Sequence, residues 1–194
     1  MLTVPTLSFP DSGLLAVVLQ HADTGEVLTV AWTTAEAVQK TAETGQTWLW
    51  SRSRQELWHK GATSGNTQTV VQMGTDCDAD ALVYRVIPAG PACHLGSRSC
   101  FSVPPTLQAL DDTLADRAAN PSEGSYTNKL LTDRNLRLKK LGEEAVELSL
   151  ACADGTDEDV VYEVADVLYH ALVAARARGI GVADVLAELR RRQG

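Results

Sequence analysis

The chain has 194 residues, room for one or two domains, and its 44% apolar content is too high for a disordered protein. A net charge of -8 argues against nucleic acid and anionic membrane as partners, while leaving open small phosphorylated molecules held by a few local cations or a metal. The longest apolar stretch, Leu14 to Leu19, is too short to span a bilayer, and the N-terminus lacks a basic region followed by a cleavable apolar core, so a cytoplasmic location is expected.

In chain order, Leu14–Gln20 and Val27–Trp32 are apolar runs joined through Asp23-Thr24-Gly25-Glu26, which predicts a hairpin. Thr33 and Glu36 stand at capping-box spacing ahead of a helix that should stop at Gly45. Strand-like runs follow at Thr47–Ser51, Thr67–Val71 and Ala81–Ile87, and Pro88–Cys100 reads as loop. After Val103-Pro104-Pro105 the apolar spacing becomes helical, with helices expected near 106–119, 127–153, 157–178 and 181–192. The expected architecture is therefore two domains: residues 1–105, α+β and mostly β, and residues 106–194, an all-α helical bundle.

Four cysteines are present. Cys77, Cys93 and Cys100 cluster, which in a reducing compartment suggests metal rather than disulfides, whereas Cys152 reads as a small core hydrophobe. Asp76, Asp78 and Asp80 surround Cys77 and point one way if the segment is extended, with Cys77 pointing the other. Oxygen ligands suit Mg²⁺ and thiolates suit Zn²⁺, so two separate sites are expected, with Cys77 reaching a zinc site completed by Cys93 and Cys100 of a second subunit. Three thiolates leave one tetrahedral position for water, as in a catalytic zinc. The alternatives are a closed zinc site with His94 as fourth ligand and a solvated acidic turn at 76–80.

A second cluster is cationic. Arg52, Arg54 and Lys60 are three of only six Lys or Arg residues up to Thr106, and they lie among Ser51, Ser53, Thr63 and Ser64. Guanidinium forks, hydroxyls and glycine-flanked amides suit a phosphate; the alternative is an exposed hairpin with solubilising charges. Trp50-Ser51-Arg52-Ser53-Arg54, Leu57-Trp58-His59-Lys60-Gly61, Thr63-Ser64-Gly65-Asn66, Asp76-Cys77-Asp78-Ala79-Asp80 and Gly90-Pro91-Ala92-Cys93-His94 through Cys100-Phe101 together resemble phosphoribosyl-AMP cyclohydrolases over 12–103. The resemblance implies opening of the adenine ring at N1–C6. It also implies magnesium at Asp76, Asp78 and Asp80, zinc at Cys93, Cys100 and the partner's Cys77, and His94 as general base or proton shuttle. Trp32-Thr33-Thr34 departs from a Met-Asn type sequence in the family.

In the C-terminal half, Glu143, Glu144 and Glu147 fall at i, i+1 and i+4 of one predicted helix, and Glu163 and Asp166 at i and i+3 of the next. Residues three and four apart share a face, so two neighbouring helices can aim these carboxylates at one point, as bundles do to build metal sites. The alternative is a solvated acidic face; against it, Glu163 sits in the apolar run Val160 to Leu168. Glu-Glu-x-x-Glu followed by Glu-x-x-Asp resembles the all-α nucleoside-triphosphate pyrophosphohydrolases. With Ser125-Tyr126-Thr127 and Lys139-Lys140-Leu141-Gly142 it resembles their phosphoribosyl-ATP branch over 107–194. That implies Mg²⁺ held mainly by Glu144, Glu147, Glu163 and Asp166, Glu143 as ligand or base, and Lys139 and Lys140 on phosphate. His170, one turn past Asp166, either supports one of the metal-holding carboxylates or is a hydrogen-bonded core histidine.

The expected protein is a homodimeric nucleotide- and ATP-binding hydrolase of histidine biosynthesis, with Zn²⁺ and Mg²⁺ as cofactors and phosphoribosyl nucleotides as substrates. One rival is a zinc base deaminase fused to a nucleotide pyrophosphatase, although its His-x-Glu and Cys-x-x-Cys signature is missing. The other is a non-enzymatic module with structural zinc.

Overall fold

The computed structural model describes residues 2–193. The chain forms two compact units, Met1–Pro105 and Thr106–Gly194, the first rich in strands and the second helical.

The first unit is one six-stranded sheet with a helix on it. Strands β1 (Leu15–His21), β2 (Val27–Thr33), β3 (Trp48–Ser51), β4 (Glu56–His59), β5 (Gln68–Thr75) and β6 (Ala81–Pro88) lie in the order β4-β3-β2-β1-β6-β5. All pairings are antiparallel except β1 with β6, which run parallel. Alternation buries Leu15, Val17 and Leu19 of β1 and Leu82, Tyr84 and Val86 of β6, and helix α1 (Ala35–Thr44) adds Val38 to that core. The helix stops at Gly45, whose φ of 67° is the left-handed cap that glycine favours.

The second unit has five helices: α2 (Thr106–Ala119), α3 (Tyr126–Thr132), α4 (Arg134–Asp154), α5 (Asp157–Arg176) and α6 (Val182–Arg192). Leu114, Leu130, Leu172, Val173 and Val182 form its core. Asp111 is buried in an ion pair with Arg176, and its Oδ2 accepts from the Val182 backbone N–H at 3.1 Å, tying α2 to the start of α6.

Four sequence expectations change. The cap of α1 is Thr34, which accepts from Ala37 N–H at 3.2 Å, while Thr33 is buried in β2. Strand β4 was not expected, because its four residues carry no alternation long enough to recognise. The helix read as 127–153 is two helices, broken at Asp133, whose side chain caps α4 through Leu136 N–H at 3.0 Å. Cys152 is exposed on α4 rather than buried.

Candidate active sites

The segment 76–80 is a turn between β5 and β6, not an extended strand, and Ala79 takes a φ of 65°. The turn, rather than strand alternation, gathers Asp76, Asp78 and Asp80, whose carboxylate oxygens lie within 4.8 Å of one another. Asp76 accepts from Ala81 N–H at 3.1 Å, and this bond pulls its pKa down. Asp80 is pushed up by the charges of Asp78 and then Asp76. Like charges crowded this closely fit a hard divalent cation, whose charge relieves the repulsion.

Next to the sheet lies a cavity of about 460 Å³, lined by Lys60, Thr63, Ser64, Cys93, His94 and Cys100 among others. The loop carrying its thiols is stitched down. Cys93 N–H donates to Ser97 O at 3.1 Å, Cys100 N–H donates to Leu28 O at 2.8 Å, and the Ser99 hydroxyl donates to Val27 O at 2.7 Å. Lys60 Nζ donates to Ala92 O at 2.7 Å, which holds its charge beside the loop. The Cys93 thiol is lowered by hydrogen bonds from Ser97, from the Leu95 N–H and from Cys100, and by the charge of Lys60. A buried sulfur biased toward thiolate suits a soft metal such as zinc. Cys77 is exposed in the acidic turn and joins no metal-binding group with Cys93 and Cys100 among the described residues.

The opposite wall of the loop is set by Gly61. It has a φ of 84°, and a Cβ there would collide with the backbone of Asn66 and Thr67, so only glycine closes the loop that presents Thr63 and Ser64. A second hollow of about 540 Å³ shares Val30, Ala31 and Trp58 with the first and is lined by Ser51, Arg52 and Ser53 beside Trp32 and Trp50. Arg54 pairs with Glu56 at 2.8 Å.

In the helical unit, carboxylate oxygens of Glu144, Glu163 and Asp166 lie within 4.8 Å of one another, where α4 and α5 pack together. Glu144 is buried, pairs with Lys140 at 2.8 Å, and has His170 Nε2 at 3.7 Å. Glu163 is pushed up first by burial and then by the charges of Glu147, Glu144 and Asp166, and its Oε2 is buried without a hydrogen-bond partner. An orphaned carboxylate oxygen among like charges fits a divalent cation. Glu143 sits outside this group, between Lys139 at 3.0 Å and Lys140 at 3.4 Å, and these, Lys139 first, hold its carboxyl below the usual range. Glu147 is exposed and also outside the group. Lys139 and Lys140 thus face carboxylates, and Lys140 is raised by its hydrogen bond to Glu144.

Two contributors went unrecognised in the sequence. Ser97 supports the Cys93 thiol from within a Gly/Ser loop that offers no spacing signal. Trp32 lies under the Arg52 guanidinium across a strand pair whose register only the fold supplies.

A family model described as phosphoribosyl-AMP cyclohydrolase matches residues 29–102, and one described as phosphoribosyl-ATP pyrophosphohydrolase matches residues 107–193. The chain is 46% identical to the histidine biosynthesis bifunctional protein HisIE of Halalkalibacterium halodurans, over 98% of this chain and 97% of that one. It is 44% identical to the protein of that name from Bacillus subtilis, over 96% and 94% of the two chains. With the Nostoc protein of that name it shares 43% identity, over 100% and 94%. By both family matches and by its full-length relatives, the chain belongs to the bifunctional HisIE family of histidine biosynthesis, which joins a phosphoribosyl-AMP cyclohydrolase to a phosphoribosyl-ATP pyrophosphohydrolase.

Proposed function

We propose that residues 106–194 hydrolyse phosphoribosyl-ATP to phosphoribosyl-AMP and pyrophosphate, and that residues 1–105 then open the adenine ring of that product. The observation that supports this division is the contrast between the sites. One offers carboxylates alone, on α4 and α5; the other offers two thiols and a histidine around a cavity.

In the helical unit, Glu144, Glu163 and Asp166 hold magnesium, with Glu147 as a further carboxylate at the rim. When bound, magnesium supplies positive charge to the substrate's phosphates. Hydrolysis breaks the bond between the α- and β-phosphates, water providing the new oxygen and pyrophosphate leaving. Glu143, kept ionised by Lys139 and Lys140, accepts the proton of that water. Arrival of the phosphates gives Lys139 and Lys140 a second anion to share, which frees Glu143 for this task.

In the first unit, Cys93, Cys100 and the partner subunit's Cys77 hold zinc, and Asp76, Asp78 and Asp80 hold magnesium. When bound, zinc supplies the electrophile that makes water a nucleophile near neutral pH. Water adds at C6 and the C6–N1 bond breaks. His94, exposed on the cavity rim beside Cys93, takes the water proton and delivers it to N1. Lys60, Thr63 and Ser64 at one end, and Ser51, Arg52, Ser53 and Arg54 at the other, receive the phosphoribosyl arms.

A homodimer completes the reading. Val161 and Tyr162 are 71% and 67% exposed, and Val146, Leu150, Val164 and Leu168 are also exposed, while Glu144 on the same helix pair is buried. A bundle that faces apolar side chains outward suits a second copy. No helix among the described residues is long and apolar enough to cross a membrane. A cytoplasmic enzyme acting on free nucleotides, with neither nucleic acid nor membrane as partner, fits the charge of -8.

The test feeds phosphoribosyl-ATP to zinc- and magnesium-loaded protein and follows pyrophosphate and ring-opened product together. Glu144→Gln should stop pyrophosphate release while phosphoribosyl-AMP is still opened. Cys93→Ala should do the reverse, each loss reaching about a hundredfold or more. If one substitution removes both activities while the protein stays folded, the division between units is wrong.

A further inference from the structure

The Ser51–Arg54 segment carries two guanidinium groups, and the fold treats them differently. Ser51 ends β3 and pairs with Glu56 of β4, so residues 52–55 form the hairpin turn. Arg54 Nε spends its charge on Glu56 at 2.8 Å. Arg52 makes no ion pair with a carboxylate among the described residues. Its guanidinium carbon instead lies 3.4 Å from the centroid of the Trp32 ring.

The strand register explains the contact. Trp32 of β2 lies opposite Trp50 of β3, and the turn that follows β3 brings Arg52 back over the Trp32 ring. Stacking on the ring fixes the plane of the guanidinium without consuming its N–H donors. The same hollow is lined by Ser51 and Ser53, and it shares Val30, Ala31 and Trp58 with the cavity lined by Cys93 and His94.

We infer that Trp32 is a positioning residue for ring opening, which stacks under Arg52 and presents its free fork to a phosphate of phosphoribosyl-AMP, whereas Arg54, paired with Glu56, reads that phosphate less. This rests on the proposed role of Ser51–Arg54 in substrate binding. Pre-aligned, Arg52 gives two parallel hydrogen bonds to a phosphate at little further loss of side-chain freedom. Trp32 lines the hollow beside Arg52 and not the cavity of Cys93 and Cys100, so its contribution belongs in substrate affinity rather than in the chemical step.

The experiment measures KM and kcat for phosphoribosyl-AMP in the full, metal-loaded protein with Arg52→Ala, Trp32→Leu, Trp32→Phe and the Arg52→Ala/Trp32→Leu pair. Leu keeps apolar bulk in β2 without an aromatic face, so folding is preserved while the stack is lost. Arg52→Ala should raise KM about thirtyfold. Trp32→Leu should raise it roughly fivefold with kcat little changed, and Trp32→Phe should recover most of that loss. The double variant should match Arg52→Ala alone, because Trp32 acts through Arg52. If Leu and Phe behave alike, or if Trp32→Leu adds its full factor on top of Arg52→Ala, the positioning role of Trp32 is overturned while the phosphate role of Arg52 stands. An unchanged KM in Arg52→Ala would overturn the binding role of the whole segment.

Discussion

His170 Nε2 lies 3.7 Å from Glu144 Oε1, and both side chains are shut away from solvent. Tyr169 packs its ring edge-on against the imidazole at 5.1 Å, and Tyr169 Oη is itself within 2.8 Å of the Thr127 hydroxyl. Glu144 Oε1 thus has His170 beside it and is paired with Lys140 at 2.8 Å. Groups that orient a metal ligand change metal affinity by roughly ten- to a hundredfold when removed. His170→Ala should therefore raise the Mg²⁺ concentration needed for half-maximal pyrophosphate release by about that factor, with ring opening of phosphoribosyl-AMP unaffected. A magnesium titration of the variant decides it: a lower Tm with an unchanged magnesium requirement would reduce His170 to packing.

Cys77 stands in the acidic turn, apart from the Cys93 and Cys100 of its own chain. If each zinc draws on two chains, Cys77→Ala and Cys93→Ala should each abolish ring opening. Co-expressing the two variants should then restore it, since a mixed dimer keeps one complete set of thiols. Random pairing makes half the dimers mixed, each with one working site of two, so roughly a quarter of the parent activity returns. No recovery in dimers shown to be mixed would place all three thiols within one chain or remove zinc from the mechanism.

Gly61 supplies the most direct stability test in the first unit. Its positive φ and the adjacent Asn66–Thr67 backbone leave no space for a methyl group. Gly61→Ala should cost about 2 kcal/mol or more in denaturant unfolding and lower ring opening through the displaced Thr63–Ser64 loop. Pyrophosphate release, which depends on the helical unit, should persist. Equal loss of both activities would mean that the units unfold as one.

Asp159 closes the capping box of α5, accepting from Thr156 N–H at 2.9 Å, and that bond lowers its pKa below the ordinary 3.8. A carboxyl whose folded pKa is depressed contributes stability that is fully present above its unfolded value and is lost as pH falls through the folded one. Asp159→Asn should thus be less stable than the parent at neutral pH, and the gap should close below pH 3.8. Thermal melts across that range measure the gap; one that stays constant would show that the charge of Asp159 does not stabilise the cap.

Local chemistry made much of the architecture readable. Alternation marked β1 and β6, Gly45 marked the end of α1, and the change of apolar spacing after Pro105 marked the helices. The carboxylates of α4 and α5 were legible for the same reason, since spacing of three and four fixes a helix face. What was hidden depended on long-range placement or on a single residue's turn geometry. Alternation alone put Asp76, Asp78 and Asp80 on one extended face, but Ala79 at positive φ curls them together instead. Asp133 looked like one more polar residue in a long helix until its cap to Leu136 divided α3 from α4. Glu143 and Glu144 are neighbours in sequence, yet one is clasped by two lysines outside the carboxylate group and the other is buried within it, a difference set by the packing of α5.

The parallel pairing of β1 with β6 bears on how the protein is made. The two strands of this pair are the first and last of the sheet in chain order, so β1 cannot gain its second neighbour until Pro88 has left the ribosome. Until then β1 has only β2 on one side, itself continued by β3 and β4, and its other edge stays unpaired. The helices of the second unit meet mostly near neighbours, as α4 meets α5 across Gly155-Thr156, and contacts of that kind form quickly. The unit synthesised first is therefore the one expected to mature more slowly, so that in the newborn chain the later half folds while the sheet is still open.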